Sequence, residues 1–143
     1  MSKLIKGNLE TGRVWIGKSE LLPGKSQKIR NHSPSGFSWG YGGSGPAQLA
    51  LAILLKFVDS ETAVSLYQEF KWDIVARWEG DFVYPVRDIL GWIEVHKLKY
   101  LKTYRVTDRI TKQSMTIEAA SAQEACEFAG WMIGQCHIQV LER

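Results

Sequence analysis

The sequence lacks three features that would each assign it to a broad class of protein. It contains no apolar run of about 18 residues or more, so a membrane-spanning helix is not expected. The first residues, MSKLIKGNLETGR, include no apolar segment of a secretory signal, which predicts a cytoplasmic protein with no membrane partner. Only two cysteines are present, and in the cytoplasm we expect both thiols to be reduced.

Side chains that perform catalysis or bind metals are also scarce or poorly placed. His32, His96 and His137 are scattered, and none lies beside an acid at a spacing that indicates a proton relay. Cys126, Cys136 and His137 match no usual zinc spacing, and a fourth ligand is not apparent. We therefore expect no catalytic residue, no metal and no cofactor, and a binding protein rather than an enzyme.

The residues that are present favour a globular α+β fold. The chain has 143 residues, of which 45% are hydrophobic, and its six tryptophans are enough to build a substantial core. Short strands are predicted at GRVWIG (12–17) and around Leu21 and Leu22, followed by a polar surface loop over 25–36. Three helices are predicted at 47–57, 61–78 and 86–98. The first is apolar on every side and therefore buried, and Ser60 caps the second.

The last part of the chain changes to a β-rich pattern. LKTYRVTDRI and SMTIEA predict two strands joined by a hairpin, and CHIQVL predicts a third. Ser121 and Glu124 form a capping-box pattern that begins a short helix ending at Gly130. We expect a helical part over 1–98 and a β-β-α-β part over 99–143, with the second packed on the helices as one compact unit.

A glycine-rich segment, GFSWGYGGSG (36–45), directly precedes the apolar helix. Gly40, Gly42 and Gly45 satisfy the dinucleotide-binding spacing, but no buried strand precedes them and no βαβ unit can be built. A P-loop is excluded because no Gly-Lys-Ser/Thr ends the segment. The sharp reversal into a helix at Pro46 predicts a positive φ at Gly40, Gly42 or Gly43.

Two interpretations of this segment stay open. It is either a tight turn that lets aromatic side chains pack over the helix, or a site where free amides at the helix N-terminus bind an anion or a partner. The binding interpretation names as its candidate residues Arg30, His32, Trp39, Tyr41, Gly42, Gly43, Ser44 and Gly45.

Basic residues are unevenly distributed although the net charge is only +3. Before Gly36 they are Lys3, Lys6, Arg13, Lys18, Lys25, Lys28 and Arg30, opposed by Glu10 and Glu20. A second run supplies the candidate nucleic-acid contacts Lys97, Lys99, Lys102, Arg105 and Arg109. Such asymmetry indicates an anionic partner or, alternatively, solvated strands and loops.

The string SPSGFSWGYGGSGPAQLALAILL (33–55) resembles the signature of an uncharacterised bacterial family, a domain of unknown function found in phages, plasmids and other mobile elements. The resemblance extends over about 6–90, with GRVWIG and YQEFKWDIVA as weaker support. It implies no activity but a setting, in which small proteins often counter host defence. They do so by binding a nucleoprotein machine or by sequestering a nucleotide signal.

Two functional hypotheses follow from these observations. The first is a small non-enzymatic protein that inhibits a host defence factor, as an anti-CRISPR protein does, by binding a host protein or nucleoprotein complex. The alternative is a protein that binds a nucleotide or phosphate ligand through the glycine-rich segment at the helix N-terminus, either as a signal sponge or as an enzyme that acts on phosphorylated ligands.

Overall fold

The computed structural model describes residues 3–141 and divides the chain into two compact units, Met1–Glu94 and Val95–Arg143. Both units combine helices with antiparallel sheets, which confirms the predicted α+β class. The boundary lies four residues before the position expected from the sequence. Within residues 3–141, no helix is long and apolar enough to cross a membrane.

The first unit contains a four-stranded antiparallel sheet. Its strands are β1 (Leu4–Asn8), β2 (Arg13–Ile16), β3 (Ser19–Leu21) and β4 (Phe82–Pro85), in the order β3-β2-β1-β4. The β2–β3 hairpin agrees with the prediction, and Val14 on its inner face is buried. Strands β1 and β4 were not predicted, since each is short and they pair with each other across most of the unit.

Two helices connect the hairpin to the rest of the first unit. The segment predicted as an extended polar loop instead begins with helix α1 (Gly24–Ile29), because its one fully buried side chain, Ser26, turns inward and bonds the Pro23 carbonyl at 2.8 Å. Helix α2 (Ser44–Leu54) follows, and every residue from Gly45 to Leu54 is buried. The prediction of a fully buried helix is therefore confirmed, although α2 ends three residues earlier than expected.

Two longer helices complete the first unit. Helix α3 (Ser60–Asp73) is capped by Asp59, whose carboxylate accepts a hydrogen bond from the Thr62 amide at 2.9 Å, so the predicted Ser60 cap was wrong by one residue. A short 3₁₀ turn over Val75–Arg77 takes the place of the last predicted turn of α3. Helix α4 (Val86–His96) begins directly after β4, close to its predicted start.

The second unit is a three-stranded antiparallel sheet with one helix. Strands β5 (Lys102–Asp108), β6 (Ser114–Ala119) and β7 (Cys136–Leu141) lie in the order β6-β5-β7, and α5 (Ala122–Phe128) connects β6 to β7. Tyr104 and Val106 on the central strand form a buried cluster with alanines and both cysteines. The β-β-α-β order is the one predicted from the sequence.

The cysteines contradict the expectation of two reduced thiols. Cys126 on α5 and Cys136 at the start of β7 form a disulfide, and both are buried. They meet because the chain reverses at Gly130 and returns to the sheet beneath the helix. Since neither sulfur is a free thiolate, this pair offers no ligand to a metal.

Candidate functional site

The glycine-rich segment is held against the turn that follows α3. The Gly40 amide donates to the Val75 carbonyl at 3.2 Å, and Gly40 adopts a φ of +87°. A Cβ at Gly40 would lie 2.8 Å from the Trp78 carbonyl oxygen, so no other residue fits there. The predicted positive φ is confirmed at Gly40.

Trp39 lies in the core and not on a rim where a ligand could stack on it. Its side chain is only 3% exposed, and its indole Nε1 donates to the Gly80 carbonyl at 2.7 Å. The ring meets Phe82 edge-on with centroids 4.9 Å apart, and Phe82 stacks in turn on Trp78. These contacts desolvate Trp39 completely, so we assign it to the core instead of the binding surface.

The next glycines mark positions where other groups approach the backbone closely. A Cβ at Gly42 would overlap the indole of Trp72, and one at Gly43 would overlap the ring of Tyr41. A Cβ at Gly45 would lie 2.7 Å from the Cβ of Ser38. The glycines therefore admit neighbouring side chains of the same protein, and this packing explains their presence without a ligand.

The N-terminus of α2 offers little to an anion. Gly43 is its N-cap, without a side-chain hydrogen bond, and the Ala47 amide already donates to the Gly43 carbonyl at 3.0 Å. Ser44 is exposed, whereas Gly45 is buried and Pro46 has no amide.

Arg30 and His32, the two candidates that precede the glycine-rich segment, make their hydrogen bonds to residues outside it. Arg30 is exposed and its Nη1 donates to the Ile29 carbonyl at 3.1 Å. The Nε2 of His32 lies 2.7 Å from the Tyr67 hydroxyl. Neither of these contacts directs a positive charge at the start of α2.

Gln48 is a buried polar residue whose role sequence reasoning missed. Its Oε1 accepts hydrogen bonds from the amides of His32 and Ser33, at 2.8 and 3.0 Å. Its Nε2 donates to the Ser26 hydroxyl at 2.8 Å and to the Arg30 carbonyl at 3.1 Å. Gln48 thereby ties α1 and the segment after it to α2. A lone amide in an otherwise apolar helix was the signal that could have identified it.

One exposed surface does emerge from the glycine-rich segment. Tyr41 and Trp72 are 53% and 58% exposed, and their rings lie against the adjacent glycines Gly43 and Gly42. The Lys71 ammonium lies 4.6 Å from the Trp72 ring centroid and donates to the Gly42 carbonyl at 3.3 Å. We call Tyr41, Gly42, Gly43 and Trp72 the aromatic loop surface.

Three of these four residues are among the candidates named from the sequence, and Trp72 is not. Trp72 lies on α3, some thirty positions along the chain from the glycines it covers. Its position beside polar residues on the outer face of a helix was the available signal, since a tryptophan there has no core to enter.

Two of the five candidate nucleic-acid residues in the second unit are engaged within the protein. Lys97 forms an ion pair with Glu124 at 3.2 Å, and the Nε of Arg109 donates to the Cys136 carbonyl at 3.2 Å. Lys99 and Lys102 are exposed, and Arg105 is exposed on the sheet face opposite Tyr104 and Val106.

Comparison with known proteins gives one match. The sequence model of a family described as "Family of unknown function (DUF6166)" matches residues 5–95. This is more than half of the chain, so the chain belongs to that family. No curated protein and no solved structure matches the chain.

Proposed function

We propose that this DUF6166 protein is a non-enzymatic binding protein that attaches to a macromolecular partner through its aromatic loop surface. The observation that carries the proposal is the pairing of an exposed tyrosine and an exposed tryptophan over adjacent glycines. Tyrosine and tryptophan contribute a disproportionate share of the energy at protein interfaces. They do so with few rotatable bonds, so little conformational entropy is lost when they bind.

The surroundings of Trp72 support a preorganised contact. The Lys71 ammonium lies over its ring and is tied to the Gly42 carbonyl, and Lys71 itself is only 7% exposed. A cation over the indole face, together with the glycine beneath the ring, favours one ring orientation before any partner arrives. Preorganisation reduces the cost of ordering the interface on binding.

The alternative, a nucleotide or phosphate site at the N-terminus of α2, has weaker support. The Ala47 amide is engaged, Pro46 has no amide, and Trp39 is buried. Arg30 and His32 make their hydrogen bonds elsewhere. A protein partner fits the exposed aromatics better than an anion fits this helix end.

We further propose that this binding serves the role implied by the resemblance of residues 33–55 to a family of mobile-element proteins. The protein is then encoded by a phage, plasmid or other mobile element and inhibits a host defence factor in the cytoplasm, as an anti-CRISPR protein does. The bound factor is a protein or a nucleoprotein complex. In the second case, Lys99, Lys102, Arg105 and Arg109 are the basic residues of the second unit that we expect to reach the nucleic acid, because all four are exposed.

The test is a comparative capture experiment with matched baits. The wild-type chain and its Trp72→Ala and Phe128→Ala variants are immobilised, and host proteins retained by each are identified and quantified. Phe128 is 61% exposed, slightly more than Trp72, but belongs to the second unit, so it controls for the loss of an exposed aromatic ring. The partner is then purified and titrated against each variant.

We expect Trp72→Ala to weaken the purified partner's affinity by roughly 30-fold or more, as the loss of an interface hot spot does. Phe128→Ala should leave the affinity unchanged. Circular dichroism of each variant verifies that the fold is retained. A partner that binds wild type, Trp72→Ala and Tyr41→Ala equally well contradicts the proposal.

A further inference from the structure

The first unit carries a groove whose walls are rich in lysine. Three adjoining cavities of about 400, 220 and 510 Å³ form it. The first and second share Glu20, Leu21 and Lys56 in their linings. The second and third share Lys3, Ile16 and Ser19. Each cavity has lining residues in common with the next, so the three adjoin one another, and together we call them the lysine groove.

The lysines of the groove come from segments that are far apart in the sequence. Lys3 and Lys6 belong to the region of β1, Lys18 to the β2–β3 turn, Lys25 and Lys28 to α1, and Lys56 to the residues after α2. All six are exposed, and among residues 3–141 the structure gives none of them a carboxylate partner. Folding thus concentrates unneutralised positive charge in one place.

The one acidic residue in the lining does not offset this charge. Glu20 accepts hydrogen bonds from the Nε and Nη2 of Arg13, both at 3.0 Å. These bonds hold the pKa of Glu20 below its ordinary value, so the carboxylate stays ionised and is already neutralised by Arg13. The lysines therefore face an anionic ligand without competition from Glu20.

The floor of the groove is aliphatic. Leu21, Ala52 and Leu55 lie beneath it, and Leu22 at its edge is 65% exposed. Phe57 is the aromatic residue in the lining, and it is packed against the core. Binding of single-stranded nucleic acid relies on aromatic rings on which bases stack, and an aliphatic floor does not provide them.

From this combination we propose that the lysine groove binds an acidic segment of a protein partner, one in which carboxylates are interspersed with aliphatic side chains. The lysines contact the carboxylates, and the aliphatic side chains cover the leucine floor. The groove shares no residue with the aromatic loop surface, so this inference does not depend on the proposed function.

The test measures binding of defined probes to the full chain by fluorescence anisotropy. The main probe is a short fluorescein-labelled peptide that alternates glutamate with leucine and valine. A second peptide replaces the aliphatic residues with serine, and a labelled oligothymidylate supplies a polyanion without aliphatic groups. Lys25→Glu/Lys56→Glu reverses two charges in the groove, and Arg77→Glu/Lys112→Glu makes the same change of net charge at two exposed positions outside it.

We expect the aliphatic acidic peptide to bind more tightly than the serine peptide and than the oligothymidylate. Its affinity should fall by about tenfold or more in Lys25→Glu/Lys56→Glu, and by a few-fold in Leu22→Ala. The control Arg77→Glu/Lys112→Glu should bind it as wild type does. The Trp72→Ala variant should do the same, which separates this inference from the proposed function.

Three results would overturn the inference. The first is that no peptide binds at low salt. The second is equal weakening by the groove variant and by its charge control, which indicates unspecific attraction. The third is oligothymidylate binding at least as tight as peptide binding and unchanged by Leu22→Ala, which identifies the groove as a nucleic-acid site.

Discussion

Replacing Gln48 with methionine should destabilise the first unit through hydrogen bonds alone. Methionine has nearly the same length and volume as glutamine, so the change removes the amide without leaving a cavity. The amides of His32 and Ser33 lose their acceptor, and among residues 3–141 the structure shows no second one for them. The Ser26 hydroxyl still donates to the Pro23 carbonyl in the variant, so its hydrogen-bonding capacity stays largely satisfied.

The size of the effect follows from these two amides. A buried donor left unsatisfied costs about 1–3 kcal/mol, and the Ser33 amide is buried while that of His32 is half-buried. We therefore expect Gln48→Met to lower the free energy of unfolding by about 2–5 kcal/mol. The control is Leu51→Met on the same helix, since Leu51 is equally buried but makes no polar contact. It should cost less than about 1.5 kcal/mol.

The assay is urea unfolding followed by tryptophan fluorescence. Trp131 is the one tryptophan of the second unit and the other five belong to the first, so the signal reports mainly on the unit that contains Gln48. The midpoint should shift without a change of slope if only stability is affected. If Gln48→Met and Leu51→Met differ by less than about 0.5 kcal/mol, the network around Gln48 contributes nothing and the reasoning fails.

Three further changes give separate expectations. Gly45→Ala should lower stability by about 1–3 kcal/mol in urea unfolding, since its methyl group meets Ser38, whereas Gly91→Ala, with open space around it on α4, should be neutral or stabilising. Burial and the nearby Asp88 raise the pKa of Tyr84. Its neutral phenol therefore stabilises the fold below about pH 10, and that contribution disappears as the pH rises through the folded-state pKa. In thermal melts, the melting temperature of Tyr84→Phe should fall less at alkaline pH than that of the wild type. Reducing the Cys126–Cys136 disulfide, which spans ten positions, should cost the second unit about 2–3 kcal/mol. Hydrogen exchange of the backbone amides in β5 measures the stability of that unit, and an exchange rate unchanged by reductant would contradict this expectation.

Elements defined by local pattern could be predicted from the sequence. Helix α2 was evident because its apolar residues cover all sides, which requires burial whatever surrounds it. The β-β-α-β order of the second unit was evident from alternation and from the Ser121 cap, whose hydroxyl accepts a hydrogen bond from the Glu124 amide at 3.1 Å. In both cases the pattern that identifies the element lies within one short stretch of the sequence.

Features built from distant segments could not be predicted. Strand β1 has a glycine as the fourth of its five residues, and its partner β4 ends in a proline, so neither has the pattern of an interior strand. The ring of Trp72, near the end of α3, reaches Gly42, which precedes α2. The residues that line the lysine groove are spread over more than fifty positions of the sequence, from Lys3 to Phe57. Each depends on tertiary contacts that no window along the sequence contains.

Prediction from local pattern also explains why a loop was expected where the structure has helix α1. Its polar composition is that of a loop, yet the segment is helical because Ser26 and Gln48 satisfy each other inside the fold. A helix of six residues has little stability of its own, so tertiary contacts decide its conformation.

The pairing of β1 with β4 has a consequence for how the chain is synthesised and folded. Leu4 is opposite Pro85 in the sheet, so β1 is synthesised well before β4 and pairs with it only after most of the first unit has been made. During that delay the β1–β2–β3 meander has an unpaired edge at β1, which attracts other extended chains. Closing so long a loop also slows folding, because its entropy is lost before the strand contacts form. A charged residue on an unpaired edge strand opposes association between newly made chains. Lys6, which is exposed between the buried Ile5 and Gly7, supplies such a charge on β1.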